Sequence, residues 1–120
     1  MSSKRRLARL REEIQRELAS IIEFESRDPV VRDAFPTVME VRLSPDARHA
    51  KVYVAAGADT ERDAFHAALV RDRGFYRSEL AERLSLRHTP ELQFFVDEAV
   101  ERSIRLGELL RADDDDLGTA

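Results

Sequence analysis

An α+β domain of order α-β-β-α-α-β-α is the fold class the sequence predicts, and three observations carry it. Apolar residues recur at three- and four-residue steps near the N-terminus. Two alternating runs follow a proline-bearing loop, and a helical stretch interrupted by glycine leads into a proline-led third strand. That last stretch reads Gly74-Phe75-Tyr76-Arg77-Ser78-Glu79-Leu80, then Leu86-Arg87-His88-Thr89-Pro90-Glu91-Leu92-Gln93-Phe94-Phe95-Val96-Asp97. It sets arginines where helix meets strand, a layout suited to a nucleic-acid platform rather than to an enzyme pocket.

Leu7, Leu10, Ile14, Leu18, Ile21 and Ile22 form one stripe of an amphipathic first helix. It should stop near Asp28-Pro29, because proline disfavours a helical conformation in the residue before it and has no amide to donate. A loop containing Asp33 and Pro36 is expected next. Thr37, Met39, Val41 and Leu43 then alternate with Val38, Glu40 and Arg42, as a strand with one buried face should. Ser44-Pro45-Asp46-Ala47 is the turn, and Ala50 to Ala56 alternates again, giving a hairpin partner that Gly57 ends. Thr60 and Asp63 have the spacing of a capping box for the second helix, with aspartate in place of the usual glutamate or glutamine. Phe65, Ala68 and Leu69 are its buried stripe, and Leu80 and Leu84 that of the helix after Gly74, where the glycine marks the break or kink. Pro90 should open the third strand, with Leu92, Phe94 and Val96 facing the core. Asp97 is placed to cap a last helix carrying Val100, Ile104 and Leu109. Residues 1–111 therefore read as one domain, and residues 112–120 as a disordered acidic tail.

Composition narrows the function. A chain of 120 residues suits a single domain. With no cysteine there are no disulfides, thiol nucleophiles or thiolate metal sites, which fits a reducing cytoplasm. No apolar run approaches the roughly 20 residues of a membrane helix, so a soluble, cytoplasmic protein is expected. The net charge of −4 misleads, because Asp113 to Asp116 alone carry four negative charges; without them 20 basic residues face 20 acidic ones. Within residues 1–16, Lys4, Arg5, Arg6, Arg9, Arg11 and Arg16 outnumber Glu12 and Glu13.

Ser44-Pro45-Asp46 with Ala50-Lys51-Val52-Tyr53-Val54, Gly74-Phe75-Tyr76-Arg77, and Leu86-Arg87 through Pro90-Glu91-Leu92-Gln93-Phe94 resemble the bacterial ribosome-binding factor A family, and Asp28-Pro29 agrees. The resemblance spans residues 3–110, with several spaced motifs in one order. It implies a type II KH-like fold, with a three-stranded sheet carrying helices on one face and an extra C-terminal helix. It also implies a non-catalytic, monomeric assembly factor. Such a factor binds the immature 30S small ribosomal subunit and its 16S rRNA and assists late maturation, including processing of the rRNA 5′ end, with a link to cold adaptation. No cofactor, metal or small-molecule substrate is implied. The family generally lacks the Gly-x-x-Gly loop of other KH domains, as does this chain, whose glycines at 57, 74, 107 and 118 are too far apart. Where the family kinks its helix pair at Ala-x-Gly, this chain has Asp72-Arg73-Gly74; Asp72 either points outward or caps the following helix.

RNA contact should therefore come from arginine, whose planar fork can hold two phosphate oxygens at once. The first candidate cluster is Lys4, Arg5, Arg6, Arg9 and Arg11, in which Arg5 and Arg9 share a helix face. The competing reading is a solvated face with Arg9–Glu13 and Glu12–Arg16 pairs. The second cluster surrounds the helix pair and the lead into the third strand; Arg73, Arg77 and Arg87 are its candidates, with Arg71, Arg83 and His88 nearby. Arg83 has Glu79 four residues before it and reads as a structural pair.

Other chemistries find little support. Asp97, Glu98 and Glu101 read as a helix start, and His49, His66 and His88 lack ligand spacing. No nucleophilic triad or phosphate loop is present, so an enzyme is not expected. Tyr53 and Phe95 should lie on the face away from the helices, where a cross-strand aromatic contact explains them better than base stacking. The alternatives to an assembly factor are a generic RNA-binding module outside ribosome biogenesis and a protein-interaction domain.

Overall fold

The structure, a computed structural model, describes residues 3–98. The expected last helix and the acidic tail lie outside these residues. The order is α1 (Ser3–Glu25), α2 (Pro29–Arg32), β1 (Thr37–Leu43), β2 (His49–Ala56), α3 (Arg62–Arg71), α4 (Arg73–Leu84) and β3 (Glu91–Glu98). β2 is the centre of a three-stranded sheet, antiparallel to β1 and parallel to β3. A parallel pair needs a crossover, and α3 with α4 supplies it.

The helices gather on one face of the sheet because that is where the apolar stripes meet. Val41, Val52 and Phe94 form one row across the three strands, and Leu43, Ala50 and Leu92 another. Against them lie Ile14, Leu18, Ile21 and Ile22 of α1, Phe65, Ala68 and Leu69 of α3, and Tyr76 and Leu80 of α4, all withdrawn from solvent. Leu10 and Leu84 pack at the margin. Each such side chain contributes roughly 1.5–3 kcal/mol by leaving water.

One buried polar chain runs through this core. Ser26 Oγ donates to the Ile22 carbonyl at 2.7 Å, which uses its only proton, so the Tyr76 hydroxyl 2.8 Å away is the donor to Ser26. Burial pushes the Tyr76 phenol above its ordinary pKa, consistent with a neutral donor. At the surface, Arg83 is a hub for Glu79 at 3.3 Å, Glu17 at 3.7 Å and Glu25, joining α4 to α1. Its hydrogen bond holds the Glu25 carboxyl below its ordinary pKa. The structural role expected of Arg83 is thus present, and wider than one pair.

Four local expectations are corrected. The segment after Asp28 is not all loop: Asp28 accepts from the Val30 amide at 2.9 Å, and Pro29 opens the short α2, where a missing amide costs nothing. β1 does not alternate throughout, because the register with β2 shifts between Val38 and Glu40. This bulge puts Val38 and Val41 in the core, while Thr37 is exposed and Met39 half-buried. The amides of Val38 and Val41 donate to Glu23 and Gln15 of α1 at 2.8 and 3.1 Å, so α1 covers the edge strand with polar side chains as well as apolar ones.

The cap of α3 is Glu61 rather than Thr60; its carboxylate accepts from the Asp63 and Ala64 amides. The helix pair turns at Asp72 (φ −97°, ψ 13°), not at Gly74, which sits inside the first turn of α4. Asp72 does not cap α4 through its side chain; its carboxylate lies 3.5 Å from Arg27. Gly74 has no positive φ, and a Cβ built there meets nothing within 4 Å. Gly74→Ala is therefore expected to raise stability by about 0.4–1 kcal/mol, by reducing the freedom of the unfolded chain. Thermal unfolding of the variant checks this, and a lower midpoint would show that the turn at Asp72 depends on the glycine.

Candidate nucleic-acid interface

The Ser44–Arg48 turn between β1 and β2 organises one end of the molecule. Ser44 Oγ donates to Asp46 Oδ1 at 2.7 Å, the Arg48 amide donates to the same oxygen at 3.0 Å, and the His49 amide donates to Ser44 Oγ at 3.0 Å. Ala47 takes the left-handed conformation (φ 61°) that lets the chain reverse. The Ser44 hydroxyl and then the Arg48 amide hold the Asp46 carboxyl below its ordinary pKa. Arg48, which ends this turn, and His49, which starts β2, are both exposed.

On one side of this turn lies the head of α1. Pro45 lines a shallow cleft with Ser3, Arg6, Leu7 and Leu10. Lys4, Arg6 and Arg9 are exposed and have no hydrogen-bonded or ion-paired partner among the described residues. The Arg9–Glu13 and Glu12–Arg16 pairs of the competing reading are not formed. Arg11 differs from its neighbours: it donates to Gln15 at 3.0 Å and lies 3.8 Å from Glu12, so its charge is partly spent within the helix. Arg5 is exposed on the same turn of α1.

On the other side of the turn, the loop leading from α4 to β3 brings in Arg87 and His88, both exposed. With Arg48, His49 and Arg77 they line a cleft of about 400 Å³. Arg77 is committed to the architecture of this loop. Its Nε donates to the Pro90 carbonyl at 3.0 Å, one terminal nitrogen donates to Thr89 at 2.8 Å, and Glu91 lies 3.8 Å away.

Arg73 stands apart from both groups. It lines a separate cleft of about 470 Å³ with Arg62, His66 and residues 93–96 of β3, and its buried Nε has no hydrogen-bond partner among the described residues. The second cluster expected from the sequence is therefore split, with Arg87 going to the turn and Arg73 to the middle of β3. Arg71 and Arg83 go elsewhere, the first to Asp28 at 2.9 Å. Sequence reasoning passed over Arg48 and Arg62; the one signal for Arg48 was a basic residue directly after the Ser-Pro-Asp turn.

Tyr53 and Phe95 are register partners on the face away from the helices and stack with centroids 5.0 Å apart, as a cross-strand pair should. Arg42 lies over Tyr53 at 5.3 Å. Among the described residues, no group of three His, Cys, Asp or Glu side chains is placed to hold a metal ion. None of the described helices is long and apolar enough to cross a membrane.

With this frame and charge layout, the comparison with known proteins is decisive. A family model described as ribosome-binding factor A matches residues 6–110. The chain belongs to the ribosome-binding factor A family. The family member from Heliobacterium modesticaldum is 45% identical over 106 residues, covering 88% of this chain and 86% of that one; the Methylobacillus flagellatus protein is 43% identical over 102 residues, covering 85% and 79%. Among solved structures, the Thermotoga maritima solution structure of a putative ribosome binding factor A is 38% identical with a TM-score of 0.65, covering 77% of this chain and 87% of that one. The Thermus thermophilus crystal structure is 31% identical with a TM-score of 0.63, covering 74% and 92%. A homology model of the Thermus thermophilus factor, fitted into a cryo-EM map of a 30S–RbfA complex, is 34% identical with a TM-score of 0.61 and has the same coverage. The type II KH-like α+β architecture expected from the sequence is thus the architecture of this family.

Proposed function

We propose that this protein is a non-catalytic assembly factor that docks on the immature 30S subunit through phosphate contacts with 16S rRNA and assists late maturation, including processing of the rRNA 5′ end. The observation that carries this reading is the group of exposed cations at the head of α1, of which Lys4, Arg6 and Arg9 are neutralised by no described residue. These three stay solvated and no described acid balances their charge, so a phosphate backbone is the partner their chemistry fits. The fitted 30S complex of the Thermus thermophilus relative supports the choice of a small subunit over free RNA. Arg5, Arg9 and their neighbours supply the charge, and the sheet with its packed helices supplies a rigid support. In this reading the protein acts as a monomer in the cytoplasm and needs no cofactor.

The test is sedimentation with purified immature small subunits, mature small subunits and large subunits at low and moderate salt. Selective co-migration with small subunits, strongest for the immature ones and weakened by salt, is the expected result. Equal binding to every RNA offered would make the chain a generic RNA-binding module, and binding to none would overturn the reading.

A further inference from the structure

We infer that the cleft between the β1–β2 turn and the α4–β3 loop is a second phosphate site, which takes a phosphodiester of the RNA backbone between Arg48 and Arg87. The inference rests on the RNA-binding reading above and adds to it a site that joins Arg87 of the second sequence cluster to Arg48, which neither cluster contained.

One rim is the Ser44–Arg48 turn, which its internal bonds close, and Arg48 and the following His49 are exposed and line the cleft. The other is the loop of residues 85–90, which begins at Ser85 in the left-handed conformation (φ 51°) at the end of α4. Arg77 secures this second rim through the Thr89 and Pro90 carbonyls. The rims are joined directly, because the Glu91 amide donates to the Arg48 carbonyl at 2.8 Å and His49 is the register partner of Glu91. The rims are therefore fixed by backbone pairing together with the bonds of the Ser44, Asp46 and Arg77 side chains. A ligand entering the cleft meets a site whose ordering was achieved in folding, which lowers the entropy cost of binding.

The charges decide what the ligand is. Among the described residues that line the cleft, Arg48, Arg77 and Arg87 meet one carboxylate, Glu91, and that one lies beside Arg77 at 3.8 Å. Asp46, the other nearby acid, already accepts from Ser44 and from the Arg48 amide. Arg48 and Arg87 have no partner among the described residues, so two full forks of donors remain. His49 and His88 add ring nitrogens at the mouth. A tetrahedral anion with several acceptor oxygens fits this donor set, and a neutral or cationic ligand does not.

Position makes the anion a backbone phosphate. Pro45 lines a cleft with Arg6 at the head of α1, and Arg48, three residues further along the same turn, lines the phosphate cleft, so one turn borders both groups of cations. A strand of RNA held by α1 passes the cleft as it continues, and one of its phosphates is then within reach of both arginines.

The experiment compares wild type, Arg48→Ala/Arg87→Ala, Arg5→Ala/Arg9→Ala and Arg32→Ala. Each is titrated at several salt concentrations against immature small subunits and, separately, against a single-stranded RNA oligonucleotide. Arg32 is an exposed arginine outside both surfaces, and its replacement shows the effect of losing one positive charge elsewhere, half the loss in each double variant. The Arg48→Ala/Arg87→Ala variant is expected to bind both probes about 10- to 100-fold more weakly, with a log–log salt slope reduced by about 0.7 for each phosphate lost. Arg32→Ala should differ little from wild type. As Arg48 and Arg87 are exposed, the double variant should keep the wild-type unfolding midpoint.

Wild-type affinity and slope in the Arg48→Ala/Arg87→Ala variant would overturn the second site while leaving the α1 interface standing. A loss matched by Arg32→Ala would overturn it too, since overall charge would then be the cause. Wild type that binds the oligonucleotide but no subunit would overturn the ribosomal reading, and the oligonucleotide arm would still decide the cleft. Wild type that binds neither probe overturns both. Arg77→Lys is the positioning test. It keeps the charge but cannot span both carbonyls, so it should weaken RNA binding without a change in net charge; unchanged affinity would mean that Arg77 does not shape the site.

Discussion

Tyr76→Ala is expected to remove most of the stability of this domain. The ring is fully buried, stands edge-on to Phe94 at 6.0 Å and touches Phe75 at 5.6 Å, so it links α4 to β3 beneath the sheet. Its hydroxyl donates to Ser26, tying the same helix to the end of α1. Truncation loses the transfer energy of a large aromatic side chain and leaves a cavity that three elements border, a cost of about 3–5 kcal/mol. It also strips Ser26 of its donor in a dry site. For a domain of this size, a fall in the thermal midpoint of at least about 10 °C should follow. Tyr76→Phe separates the contributions. It keeps the ring and removes only the hydrogen bond, so a loss of about 1–2 kcal/mol is expected. If both variants unfold within a few degrees of wild type, the ring is not the joint between α4, β3 and α1.

Arg5→Ala/Arg9→Ala should have the largest effect on function. Both side chains are exposed and share a face of α1 well away from the buried stripe at Ile14, Leu18, Ile21 and Ile22, so unfolding should be almost unchanged. Affinity for immature small subunits is expected to fall about 10- to 100-fold, as two charge-assisted contacts are lost. The salt slope should fall with it, by about 0.7–0.9 for each phosphate no longer neutralised. Weaker binding with an unchanged slope would mean that the arginines act through the fold. Unchanged affinity and slope would remove this face of α1 from the interface. Arg11→Ala is a useful contrast. Its guanidinium is already engaged by Gln15 and Glu12, and a smaller loss is expected.

The errors in reading the sequence have two causes, one local and one tertiary. Thr60 and Asp63 have a familiar capping spacing, yet Glu61 caps α3, because its longer side chain reaches the Asp63 and Ala64 amides. Gly74 looked like the break between the helices, but a glycine is free to adopt ordinary helical angles, and the turn falls at Asp72, where the carboxylate finds Arg27. Met39 was expected to alternate into the core. Pairing with β2 introduces a bulge there, and the Val38 and Val41 amides meet α1 side chains. At the cap a neighbouring side chain with longer reach prevailed, whereas at the helix turn and the bulge a local preference was overridden by a partner distant in the chain.

Hydrophobic periodicity, proline and turn chemistry were enough to read the order of the described elements other than α2, the buried stripes of α1 and α3, the hairpin, and the stacked pair Tyr53–Phe95, since each depends on residues a few positions apart or on simple alternation. The charged head of α1 was legible for the same reason. Strand order, the Met39 bulge and the grouping of the arginines were not. Arg87 sits with Arg48 rather than with Arg73 because β3 pairs with β2 and carries its preceding loop to the β1–β2 turn. Spacing along a chain records which side of a helix or strand a residue occupies. Which surfaces meet is decided by the pairing of strands and the packing of helices, and that brings together charges that no sequence motif connects.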